Sequence, residues 1–175
     1  LIMHVVAFNL AMGKVRLGEG IEDEAKACFE ICVNAFKKSE FSPIPPHQVE
    51  ALAHLTAIYA EHGQLDEARN MSVWATRLAE ALKGDAGLAM ASQAEAAFLL
   101  ASGDRNGADQ AYLKSIGFWE RAGWPHYHAK ALVAYSEALA LQNPDQSRKR
   151  LEQAAEIVRK VGAKGDLEKA EAKLS

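Results

Sequence analysis

A six-residue pattern opening on glycine recurs along the chain at nearly constant spacing, and it constrains the fold more than any other feature. It reads GIEDEA from Gly20 to Ala25, GQLDEA from Gly63 to Ala68 and GDRNGA from Gly103 to Ala108, with a degenerate NPDQSR from Asn143 to Arg148. The spacings are 43, 40 and 40 residues, and a period in that range is the mark of a stacked-repeat architecture. Further columns align at the same offsets: Val15, Ile58, Phe98, Ala138; Cys28, Met71, Ala111, Leu151; and Cys32, Ala75, Ser115, Ala155. Each column is mostly apolar or small.

One unit follows from elementary backbone physics. A helix ends at the glycine, which adopts a left-handed C-terminal conformation without a side-chain clash, and a second helix begins within a few residues. Asp66, Asn106 and Asp145 fall near the second helix's start, where a hydrogen-bond acceptor or negative charge is favourable. Ala25, Ala68 and Ala108 lie one turn further on, where a bulky side chain would hold the two helices apart; Arg148 breaks that column. The prolines agree, with Pro125 and Pro144 at helix starts and Pro43, Pro45 and Pro46 in a loop.

The pattern predicts eight helices in four hairpins: about 2–18 with 21–38, 47–62 with 65–83, 87–102 with 105–122, and 126–141 with 145–161. A tail helix over about 164–174 closes the end. No stretch combines period-two alternation with β-branched residues, so the expected fold is all-α, a single repeat domain over 1–175. The connection from Ser39 to Pro46 is the longest, and a bend or proteolytic site is expected there.

Composition narrows the function classes. The 175 residues are 49% hydrophobic and 25% charged, enough to bury a core in water, and no segment approaches the roughly 20 apolar residues of a membrane helix. The net charge of −3 comes from interspersed signs with no basic block, which argues against nucleic acid or an anionic membrane as partner. Leu1 to Leu17 is apolar but broken by His4, Asn9, Lys14 and Arg16, which reads as a cut or processed start with no signal peptide. Two cysteines four apart on one helix make no disulfide framework and point to a cytoplasmic setting.

These residues resemble the tetratricopeptide repeat family, most clearly through LTAIY from Leu55 to Tyr59, GQLDEA from Gly63 to Ala68, and Trp74 with Ala75. The resemblance covers roughly residues 5–160. The 40-residue period, longer than the family's usual 34, is similar to the lengthened repeats of bacterial signalling ATPases, maltose-activator-type regulators and adenylate cyclase tails. Val161 to Ala163, Asp166–Leu167 and Ala170 to Ala172 are similar to the closing segment of such tails. The resemblance implies a right-handed αα superhelix in which the first helix of each pair lines a concave groove receiving a peptide or helix. On that geometry the groove residues are Leu10, Lys14, Glu50, Ala53, Ala57, Met90, Gln93, Ala97, Lys130, Val133 and Glu137. Family members that clamp a terminal carboxylate carry several basic and Asn residues there. Ala and Gln in the middle of this groove argue against that partner.

Candidate chemistry yields to packing at each place. His126 and His128 form a His-x-His pair, but residues two apart on a helix point about 200° apart, so no metal is expected. Cys28 and Cys32 share a helical face in columns occupied elsewhere by Met71, Ala75, Ala111 and Ala155, and are expected in the core. His47, Glu50 and His54 sit at helical-turn spacing, but no nucleophile motif or phosphate loop accompanies them, so solvated helix-face contacts are expected. Phe118, Trp119, Trp124 and Tyr127 are the densest aromatic stretch, expected as core between the third and fourth pairs rather than as a partner anchor.

The expected function is therefore protein–protein interaction without catalysis, cofactor or metal, in the scaffold or sensor part of a larger regulatory protein. The alternative is self-assembly through the apolar N-terminal helix pair. An enzymatic role would need a catalytic domain outside this chain.

Overall fold

The computed structural model describes residues 2–35 and 46–162, and among these every regular element is a helix. In chain order they are α1 (Ile2–Gly18), α2 (Glu22–Asn34), α3 (Pro46–Glu61), α4 (Leu65–Leu82), α5 (Asp85–Ala101), α6 (Arg105–Ala122), α7 (Pro125–Leu139) and α8 (Pro144–Val161). None is long and apolar enough to cross a membrane. Pro46, expected in the loop, instead opens α3, a position where its missing N–H costs nothing. Helix α2 stops at Asn34, short of the expected 38; residues 36–45, with most of the expected bend, and the tail helix over 164–174 lie outside the described residues.

Turn chemistry makes the hairpins. Gly20, Gly63 and Gly103 hold φ of +77°, +70° and +88°. Behind each, the next amide reaches back five residues: Ile21 to the Arg16 carbonyl at 2.8 Å, Gln64 to Tyr59 at 2.8 Å, Asp104 to Leu99 at 2.9 Å. These bonds satisfy carbonyls that a helix end otherwise leaves orphaned. The second helix then starts on a carbonyl-accepted amide at Ala25, Ala68 and Ala108, all buried. The side-chain caps are Asp104, accepting from the Gly107 amide at 2.9 Å, and Asn143, accepting from Gln146 at 3.1 Å, rather than the expected Asn106 and Asp145.

The fourth unit carries a correction. The amide equivalent to that of Ala108 belongs to Ser147, which donates to the Asn143 carbonyl at 2.9 Å. The last spacing is thus 39 residues rather than 40, and small, buried Ser147 fills the neck position while Arg148 points to solvent. The Ser147 hydroxyl donates to the Ser136 carbonyl at 2.7 Å, tying α8 to α7.

Each helix packs on its hairpin partner, and each second helix packs on the first helix of the next pair. Helix α3 also packs against α1 and α5. A continuous core of Val6, Leu10, Phe29, Val49, Leu52 and Leu55, closed by Ala75 and Ala91, runs through α1 to α5. Fully burying a ring such as Phe29 stabilises by about 1.5–3 kcal/mol. The repeat extends to buried polar contacts. Cys32 on α2 donates its thiol to the Val6 carbonyl on α1 at 3.3 Å, and Ser115 on α6 donates to the Ala89 carbonyl on α5 at 2.9 Å, with both donor and acceptor displaced by two repeats.

Candidate functional site

The first helices of all four pairs meet around a cleft of about 520 Å³. Nine of the residues expected to line a groove border it: Lys14 from α1; Glu50, Ala53 and Ala57 from α3; Met90, Gln93 and Ala97 from α5; Lys130 and Glu137 from α7. The other two do not. Leu10 is 5% exposed, its side chain packed into the core of α1 to α5 instead of facing the cleft. Val133 packs on Ala129, Leu132, Ala154 and Val158 between α7 and α8.

The first and fourth pairs come together at one end of the cleft. Lys14 donates to Glu50 at 2.7 Å, and its Nζ also lies 5.9 Å from the centre of the Tyr127 ring on α7. Lys130 Nζ lies 5.8 Å from the centre of the same ring, so one aromatic ring serves two ammonium groups. Burial pulls the Lys14 ammonium down, but the hydrogen bond and charge of Glu50, with Tyr127 behind them, outweigh it and leave its pKa above the ordinary value.

His54 lies in the wall rather than on a solvated face, which corrects the expectation. Its imidazole stacks on Phe29 with ring centres 4.6 Å apart and planes 9° from parallel. Burial pushes its pKa down to about 4; Glu50 pulls the other way, and Lys14 and Lys130 add to the depression. His54 is therefore neutral at pH 7, an aromatic wall with hydrogen-bonding nitrogens rather than a cation.

Two further lining residues, Tyr112 and Trp119, come from α6, a second helix. Reasoning that assigned the lining to first helices alone misses them. They reach the cleft because α5 and α7 do not pack on each other as α3 does on α1 and α5, which leaves α6 as the floor between them. Tyr112 stacks on Tyr135 at 5.2 Å, and burial pushes its phenol to about 12, with Glu137 adding to the rise.

The aromatic stretch divides. Trp119 is 1% exposed and packs on Ala89 and Ala131, whereas Trp124 is 48% exposed and stacks on Trp119 with centres 5.9 Å apart. Tyr127 also stacks on Trp119, with centres 4.8 Å apart, and lies tilted 5.6 Å from Trp124. The Trp119 indole N–H is buried and has no acceptor. A buried donor without a partner is unusual, and this one belongs to a side chain that borders the cleft.

The chain matches no protein-family model and no curated protein.

His126 and His128 both fall in the first turn of α7 and diverge around it, and among the described residues no group of three or more His, Cys, Asp or Glu comes together as a metal site would require. Both cysteines are free thiols, but only Cys32 lies in the core as expected, its pKa raised to about 11 chiefly through desolvation, whereas Cys28 is half-buried outside it.

Along α3 and α7 the lining changes sign. Near their N-terminal ends lie Glu50, neutralised by Lys14, and Tyr127 with Lys130; near their C-terminal ends lie Glu61 and Glu137. From Glu50 to Glu61 is about 16 Å of helix. Between the two ends Ala53, Ala57, Ala94, Ala97, Ala134 and Ala138 keep the walls low.

Proposed function

We propose that this chain is a tetratricopeptide-like binding module whose four pairs form a right-handed αα superhelix, and that it holds a segment of another protein in the cleft. The observation that carries this reading is the cleft itself: all four first helices contribute to it, alanines keep its middle low, and a buried indole donor beside it lacks an acceptor. Alanine walls admit a backbone or a helix closely, and the cavity lies within the range of preformed ligand sites. The module acts by recognition and carries no reaction of its own.

The polarity of the lining selects the segment. The Lys130 end, where Lys14 offsets Glu50 and the N-termini of α3 and α7 also lie, favours an acidic group, and the Glu61 and Glu137 end favours a basic one. An extended peptide spans the roughly 16 Å between them with about five residues. Preformed walls limit the ordering cost to the ligand.

The test is an affinity capture from source lysate, read by mass spectrometry, comparing the parent chain with an Ala57→Arg, Ala97→Arg variant. Both alanines border the cleft and are only partly buried, so the variant is expected to keep its helical circular dichroism. A protein retained by the parent and lost by the folded variant supports cleft recognition. Equal retention by both places the binding surface elsewhere and overturns the proposal.

A further inference from the structure

Buried donors in this molecule ordinarily find a main-chain carbonyl. Gln48, Thr56, Ser115 and Ser147 each donate to one, at 2.7 to 3.1 Å. Trp119 departs from that pattern at the wall of the cleft: it is 1% exposed, and no group among the described residues accepts from its indole N–H. The rings stacked on it do not fill the need. Trp124 and Tyr127 have centres 5.9 and 4.8 Å from that of Trp119 and 5.6 Å from each other, closer than rings on opposite faces could come, so both lie on one side of the indole. The methyl groups of Ala89 and Ala131, which also pack on it, accept nothing.

Charge identifies the missing acceptor. At this end of the cleft Lys14 and Glu50 cancel, and His54 is neutral at pH 7. Lys130, beside the Tyr127 ring, has no carboxylate against it among the described residues. One uncompensated positive charge and one neutral donor suit a carboxylate, which brings a single charge and two oxygens. A phosphate would bring close to a second charge and a third oxygen, with no donor to meet them. Building on the reading of the cleft as a peptide site, we propose that the bound segment places an aspartate or glutamate side chain here, one carboxylate oxygen accepting from the Trp119 indole and the other facing Lys130. Trp119 then determines specificity. A segment with an apolar residue at this point leaves a buried donor unsatisfied, and one with glutamine satisfies the indole but leaves Lys130 unpaired.

Nitrogen–proton correlation spectra of the intact chain test this through its three indole N–H signals. Trp74→Phe and Trp124→Phe, at two side chains that are not fully buried, assign two of the signals and leave the third to Trp119 without disturbing it. The probe is a peptide of roughly five residues, Glu-Ala-Ala-Ala-Lys, acetylated and amidated so that only side chains carry charge, and used in both sequence orders. Its control replaces the glutamate with glutamine. The acidic probe should move the Trp119 indole proton downfield saturably and bind roughly tenfold more tightly than the control. Lys130→Gln, at an exposed side chain, should abolish that difference. Equal affinity of the two probes for the parent chain overturns the carboxylate assignment. Shifts of the Ala57 and Ala97 amides with a stationary Trp119 indole overturn the role of Trp119 while leaving the cleft as a peptide site. A probe that moves neither overturns both this inference and the peptide reading on which it rests.

Discussion

Gly13 illustrates how a single atom is decided by its surroundings. It lies inside α1, where glycine is normally a liability of roughly 0.5–1 kcal/mol relative to alanine. A Cβ there would stand 2.6 Å from the Phe29 ring, which is itself fully buried and stacked on His54. Gly13→Ala is therefore expected to destabilise by about 1–3 kcal/mol in a denaturant titration, against its helix propensity. Gly117, within α6, is the control: its nearest neighbour would be an Arg121 nitrogen 3.9 Å away, so Gly117→Ala should stabilise by about 0.5–1 kcal/mol. The sequence announces a glycine in both helices and does not distinguish them. The difference lies in a ring sixteen residues further along, brought back by the hairpin.

At the scale of the element, the repeat made the hairpins legible. Helix starts and ends agree within one or two residues for α1 and for α3 to α8, because glycine C-caps, prolines and 3.6-residue periodicity all act within a few residues of the chain. The fourth unit was misread by one residue for a definable reason. Alignment by spacing alone placed Arg148 at the neck, and only the backbone bond from Ser147 to Asn143 reveals the shorter connection. Ser147→Leu should accordingly force α7 and α8 apart and lower stability by about 1–3 kcal/mol, while Arg148→Ala should lie within about 0.5 kcal/mol of the parent. Thermal melts of the two variants check the register directly. If Arg148→Ala proves the costlier change, the 39-residue spacing is wrong.

The whole molecule sets the electrostatics of the cleft, because groups from three pairs act on one imidazole. His54 is kept neutral by burial and by Lys14 on α1 and Lys130 on α7, against the pull of Glu50. Its folded pKa of about 4 lies below the ordinary value, so between about pH 6.5 and 4 the unfolded chain binds the extra proton. Its contribution to stability is thus present in full above about pH 6.5 and is lost as pH falls toward 4, by on the order of 2 kcal/mol. A His54→Phe variant should show a flatter dependence of unfolding free energy over that window, measured in urea at pH 7 and pH 4.5; an unchanged slope would mean that His54 is protonated in the folded chain. What the sequence determined by itself is local or periodic: the helices, their pairing into hairpins, the small residues at the necks and most of the stripe that borders the cleft. Tertiary structure alone decided which side chains meet across it, burying Leu10 and Val133, raising Tyr112 and Trp119 from α6 into its floor, and bringing Lys14 to Tyr127. These contacts join residues of different pairs that lie far apart in the chain, and they are set by how the pairs pack on one another rather than by any pattern within a few residues.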